Sequence, residues 1–214
     1  MKKIILVLIA LTIISTLSYA QDCGPNCPLC SGSGLNTEGM LVPGTIFANA
    51  LFVPDGEETF VSTLKVAAHK RLNLGIGYIN KSEAVIWNVR LLVLEEKENL
   101  PGLNVGTGSV RMGGSDQSVF FAATKNFEEN LGLPLRISAG AASLVPDFNE
   151  VYFIGTVSYL IKEVLFPFVS YDGINPHFGA TLQLFENFNI GAYYIEKEYL
   201  GFSAGLRFNI RDVL

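Results

Sequence analysis

The chain is short of charge. Only 16% of its 214 residues are Asp, Glu, Lys or Arg, against about a quarter in ordinary soluble domains. It has two histidines, and its three cysteines all fall within residues 23–30. Beyond residue 20 it has no uncharged apolar run of the ~18 residues that a membrane helix needs. Each scarcity excludes something. A net charge of −5 lacks the basic footprint that a phosphate backbone demands, so nucleic acid is not an expected partner. Two histidines leave acid–base chemistry few participants. The long uncharged stretches, "ISAGAASLVP" and "GINPHFGATLQLF", are broken by glycine and proline.

The chain is also too apolar for water: its mean hydropathy is positive, at +0.35, part of it from the apolar run near the amino-terminal end. In a bilayer every backbone polar group must find a partner within the protein, so only helices and closed sheets can cross. With spanning helices excluded, a barrel remains. The periodicity agrees. "YLGFSAGLRFNI" sets Leu200, Phe202, Ala204, Leu206, Phe208 and Ile210 on one face, with Gly201, Ser203, Gly205, Arg207 and Asn209 on the other. "RLNLGIGYIN" and "LPLRISAGAAS" alternate in the same way. In a membrane barrel the apolar side faces lipid and the small, polar side faces the lumen. Segments of this kind fall near 44–53, 59–69, 71–80, 83–95, 102–111, 118–126, 133–144, 151–161, 164–171, 176–185, 188–196 and 199–210. The expected fold is therefore all-β, an antiparallel transmembrane barrel of about twelve strands, with ten to fourteen allowed by boundary error. The acidic residues concentrate in the intervening segments "PDGEE", "EEKENLPG", "MGGSDQ", "NFEENLG" and "VPDFNE". The rival architecture is a soluble periplasmic barrel or sandwich, with its apolar side turned inward around an apolar ligand.

The amino-terminal end reads as an export signal. Lys2 and Lys3 precede the apolar run from Ile4 to Leu17, and Ser18-Tyr19-Ala20 supplies small residues before Gln21. The expected organisation is a cleaved signal peptide over 1–20, a Cys/Gly/Ser-rich leader over 21–41 and a barrel over 42–214, located in the bacterial outer membrane. Cys23, Cys27 and Cys30 cannot all pair with one another, and a structural zinc site wants a fourth ligand that the leader does not supply. A disulfide with a spare thiol, a zinc site and a contact to a partner all stay open. No other cofactor is expected.

On the polar faces stand Lys65, Arg90, Arg136 and Arg207, candidates to face the lumen. A confined passage lined by cations attracts an anionic ion or polymer. Alternatively the four pair with lumenal or loop carboxylates and fill the barrel. Tyr78, Trp87, Tyr152, Tyr159, Tyr171, Tyr193, Tyr194 and Tyr199 suit aromatic girdles at the membrane interfaces. Ser170, Asp172 and His177 lie close in "SYDGINPHFG", which raises a membrane-embedded hydrolase as a third reading. The Asp-Gly and Asn-Pro pairs there read first as a turn. "GTGSVRMGGS" lacks the Gly-Lys-Ser/Thr ending of a phosphate loop.

The segment "PGLNVGTGSVRMGGSDQSVFFAATKNF", residues 101–127, resembles YjbH-like outer-membrane β-barrel proteins at Pro101, Leu103, Gly106, Gly113, Gly114, Ala122, Lys125 and Phe127. "EGMLVPGTIFANALFVPDGE" is loosely similar to that family's opening strand. The resemblance covers about a third of the chain and implies a role in exopolysaccharide production or export. The chain is short for that family and has no lipobox before its cysteines, and no family site residues carry over. The expected function is thus a non-enzymatic transport or scaffold component of the envelope. Its partners would be outer-membrane lipid, the barrel-insertion machinery, and polysaccharide or envelope export proteins.

Overall fold

The computed structural model describes residue 41 and residues 43–210, except 57, 110–114, 163 and 186. The expected signal peptide, the leader with Cys23, Cys27 and Cys30, and Gly113 and Gly114 of the YjbH-like segment lie outside the described residues.

Twelve strands follow one another along the chain: β1 (Thr45–Phe52), β2 (Phe60–His69), β3 (Leu72–Ile79), β4 (Ala84–Leu94), β5 (Gly102–Gly108), β6 (Ser118–Asn126), β7 (Leu135–Leu144), β8 (Tyr152–Tyr159), β9 (Leu165–Tyr171), β10 (Pro176–Phe185), β11 (Phe188–Ile195) and β12 (Tyr199–Asn209). Each pairs antiparallel with the next, and β1 pairs with β12 from Thr45–Asn209 to Phe52–Phe202, closing the barrel. Closure leaves no sheet edge, which is what a lipid environment demands of a sheet. The expected fold class holds, with twelve strands and boundaries within a few residues of those expected from the sequence. The segment "NFEENLG", expected as a plain loop, contains a one-turn helix, α1 (Glu128–Leu131), stopped by Gly132 in the left-handed conformation. Leu41, assigned to the leader, packs against Phe47 and Ala67 on the inner wall.

Because side chains alternate along a strand, the register assigns every residue a side. Leu64, Ile76, Trp87, Phe121, Val157, Phe202 and Leu206 point outward and are exposed. Asn73, Asn88, Arg90, Asn104, Ser138, Thr156 and Ser203 point inward and are buried. This polarity overturns the soluble rival, which needed the apolar side inside. The aromatic assignment is corrected in part. Tyr78, Trp87, Tyr159, Tyr171 and Tyr194 lie on the outer surface. Tyr152, Tyr193 and Tyr199 face inward, opposite Ala142, Gly201 and Ile195. Phe52, Phe60, Phe153 and Phe178 join Tyr78, Tyr171 and Tyr194 in a girdle at the end of the barrel away from the termini, while Tyr159, Phe185 and Phe208 mark the other end.

One local repair shows how the ladder is kept complete. β5 ends at Gly108 while β4 continues past it, leaving Trp87's backbone without a strand partner on that side. The side chain of Gln117 takes that place: its Oε1 accepts from Trp87 N at 2.9 Å and its Nε2 donates to Trp87 O at 3.0 Å. Nε2 also contacts Thr107 Oγ1.

The outward parity makes a direct prediction. Phe121→Arg places a charge on the lipid face near mid-strand and should cost about 2–4 kcal/mol of folding free energy in lipid. Denaturant titration into vesicles, with folded protein read from the mobility difference between boiled and unboiled samples, measures it.

Candidate functional site

The inner wall has one electrostatic peculiarity: none of the twelve strands contains an Asp or Glu. Lys65, Arg90, Arg136 and Arg207 all fall on the inward parity. Arg207 and Lys65 flank Phe47 across β12, β1 and β2. Lys65 then continues across Gly75 to Asn88 on β4. Arg90 is Asn88's next inward neighbour and lies within electrostatic reach of Lys65. Arg136 stands apart on β7, between Asn126 of β6 and Ser158 of β8. Arg90 and Arg136 are buried, Lys65 and Arg207 half-buried.

Several carboxylates are engaged outside the wall, at the end bearing the termini. Glu95 pairs with Arg71 at 3.0 Å and with Lys70 at 3.6 Å. The Arg71 hydrogen bond, with the charges of Lys70 and Arg71, holds the Glu95 carboxyl below its usual range. Glu96 pairs with Lys125 at 3.1 Å and accepts from Asn126 N at 2.7 Å. Lys125, one of the residues behind the YjbH-like resemblance, also donates to Lys97 O at 2.7 Å.

The opposite side of the interior is apolar. Leu51, Val53, Phe168, Tyr193 and Ile195 form a cluster with Val61 and Tyr199 against it. Phe168 and Tyr193 meet with ring centroids 5.7 Å apart. The Tyr193 hydroxyl is satisfied by Ser203 Oγ at 2.6 Å, as a buried phenol requires. Cations and amides thus line β2–β7 and continue onto β12 at Arg207, while the apolar, aromatic cluster draws on β1, β2, β9, β11 and β12.

The structure brings Ser170, Asp172 and His177 together near the end away from the termini. Ser170 and His177 are direct cross-strand partners, and His177 Nε2 lies 3.0 Å from Asp172 Oδ2. The arrangement does not make a nucleophile. His177 Nδ1 accepts the backbone N–H of Glu196 at 3.2 Å, and Nε2 faces Asp172, so neither nitrogen is available to take a proton from Ser170. Asp172 is instead a turn-builder. Its Oδ1 accepts from Ile174 N at 2.9 Å and Asn175 N at 2.8 Å. Gly173 between them has φ +99°, and a Cβ there would fall 2.4 Å from Tyr152 Cβ. Only glycine fits that turn.

Sequence reasoning placed the four cations but missed Asn73, Asn104 and Phe120 as their companions. Their inward parity was readable within each strand. Which of them lie beside Arg90 is a matter of register between strands, which one sequence does not display.

No family model matches this sequence, and no curated protein matches it. Among solved structures the chain is similar to a KdgM porin, with 8% identity and a TM-score of 0.50 over 77% of this chain and 98% of that one. It is similar as well to a KdgM porin in complex with disordered oligogalacturonate, with 10% identity and a TM-score of 0.53 over the same shares. At such identities the likeness speaks to the fold alone, a closed antiparallel membrane barrel.

Asp172 yields a pH prediction. Burial pushes its carboxyl up, but the His177 imidazole and the Asn175 and Ile174 N–H groups outweigh it and hold it below the ordinary carboxylate range. A depressed folded value means that its contribution is complete above about pH 4 and is lost as the pH falls through the lowered value. Asp172→Asn should cost about 1–2 kcal/mol at pH 7. The gap between wild type and variant should close on acidification, as read by unfolding titrations at a series of pH values.

Proposed function

We propose that this chain is an outer-membrane transport barrel whose interior favours acidic solutes. The observation that carries the reading is the wall itself: four inward cations and no carboxylate on any strand. A low-dielectric wall carrying one sign of charge raises the local concentration of the opposite ion. Two leads support a saccharide as that ion. The YjbH-like segment at 101–127 implies exopolysaccharide production or export, and a protein of similar fold is described in complex with oligogalacturonate, an acidic sugar chain. An acidic polysaccharide or its fragments are therefore the solute class we assign. The same proposal includes export through a signal peptide cleaved after Ala20 and recognition of the barrel by the insertion machinery. The barrel performs no covalent chemistry, in keeping with the engaged nitrogens of His177.

The test is the reversal potential of the full-length mature protein in a planar bilayer under a KCl gradient. Anions should be preferred several-fold, since a unit charge ~5 Å from the ion path contributes about 1 kcal/mol even in a water-like dielectric. Neutralising Lys65 and Arg207 together, as Lys65→Gln and Arg207→Gln, should bring the chloride-to-potassium ratio down toward unity. Cation preference in the wild type, or no conductance at all, contradicts the reading.

A further inference from the structure

The chain enters the barrel wall at a pinned turn. Gly44 N donates to Ala67 O at 2.9 Å and Gly44 O accepts from Ile210 N at 3.0 Å, so the start of β1 is tied to both neighbouring strands at the rim that bears the termini. Pro43 and Gly44 form a turn there, with Gly44 at φ +87°. Leu41, just before that turn, is 1% exposed and packs against Phe47 and Ala67, which are inward and buried as well. A chain running away from the rim would carry Leu41 out of reach of Phe47, so by Leu41 it has turned back into the lumen. The wall ahead of it suits an occupant. Asn104, Ser138, Thr156 and Ser158 face inward on β5, β7 and β8, and all four are buried. Side chains just fill an eight-stranded barrel, and the diameter grows with strand number. Twelve strands lined by side chains this short need cover from within the ring.

We propose that residues 21–40 occupy the lumen as a displaceable plug, held by Leu41 at its base and by Glu38 against Lys65 and Arg207. The plug presupposes the transport barrel and the cleavage after Ala20 proposed above, and it is the element that opens and closes the passage. Its composition matches the wall: it carries Asp22 and Glu38, has no Lys, Arg, His or aromatic residue, and is kept thin by "SGSG". Fully extended it would span ~66 Å, nearly twice the ~36 Å of an eleven-residue strand such as β4 or β12. Lys65 and Arg207 are the direct cross-strand partners of Phe47, on either side of it. Glu38 is three residues from Leu41, about 10 Å at most, so its carboxylate reaches their level. Neither cation has to be otherwise unengaged, since an ammonium carries three donors and a guanidinium five. One leucine and a half-exposed ion pair make a weak latch, so the full mature chain conducts in interrupted openings. An acidic solute competes with Glu38 for the same cations, and the cargo itself displaces the plug.

Disulfide cross-linking in the full-length mature chain, its three native cysteines replaced by serine, tests the plug. Thr37→Cys is paired either with Thr63→Cys, the inward residue one step deeper than Lys65, or with Leu64→Cys, its outward neighbour. A boiling-dependent mobility shift establishes that each variant is folded. Under mild oxidation the 37–63 link should form at least about tenfold faster than the 37–64 link, because only the first pair shares the lumen. In a planar bilayer the 37–63 linked barrel should stop conducting, and reduction with dithiothreitol should restore its openings. In the otherwise unaltered chain Glu38→Lys should raise the fraction of time spent open several-fold. Equal linking rates at 63 and 64 overturn the plug, as does conductance that the 37–63 link leaves unchanged. An open fraction unmoved by Glu38→Lys overturns the role of Glu38. The two proposals fail separately. Anion-selective conduction indifferent to the link removes the plug alone. Preferential linking at 63 in a barrel that prefers cations, or conducts in neither state, removes the acidic-solute passage and keeps the segment in the lumen.

Discussion

The structure depends on backbone hydrogen bonds that must be completed within the protein. In a bilayer an unpaired N–H or C=O has no water to turn to, and a sheet meets that condition only when its first and last strands join. The β1–β12 pairing is that junction. Everything else in the barrel is a consequence of how it closes. Once the ring is fixed, each residue is committed to lipid or lumen by its parity, and a one-residue slip of β4 or β7 would turn Arg90 or Arg136 toward the hydrocarbon. The Gln117 amide bonded to both backbone groups of Trp87 shows the same constraint met by a side chain where a strand runs out.

Parity separates the two energies that matter. On the outside, leucine, phenylalanine and tryptophan meet lipid. On the inside, the same strands present amides, hydroxyls and guanidinium groups in a narrow space. The wall carries cations without wall carboxylates, while the neighbouring acids Glu95 and Glu96 are drawn to Lys70, Arg71 and Lys125 at the rim. The strands of the wall therefore carry one sign of charge, and Leu51, Phe168, Tyr193 and Ile195 add an apolar cluster to the same interior. Glycine is the device that lets large side chains lie flat against the wall, with Phe120 over Gly106 as the clearest case.

Much of this was legible in the sequence. The alternation in "YLGFSAGLRFNI" corresponds to the outward and inward faces of β12, and the inward parity of Lys65, Arg90, Arg136 and Arg207 could be read strand by strand. What was not legible has one physical origin. Alternation within a strand says which residues share a side, and register between strands says which of them meet. "NIGAYYIE" is ambiguous even within the strand, because both of its faces carry apolar side chains, and so Tyr193 was expected at the membrane surface when it lies inside. Ser170, Asp172 and His177 were suspected from proximity, and they do meet. Their roles were decided by the Glu196 backbone N–H, which no spacing rule points to.

The central claim is the direction of the parity: apolar side chains outward to lipid, cations and amides inward. The most direct measurement places single cysteines in turn at positions 200 to 206 of β12, in a mature chain whose three native cysteines are replaced by serine. Each is labelled with a polarity-sensitive fluorophore in vesicles and exposed to a lipid-soluble quencher. The account predicts quenching that alternates, strong at 200, 202, 204 and 206 and weak at 201, 203 and 205. Quenching at the odd positions, or no alternation along the strand, would contradict it.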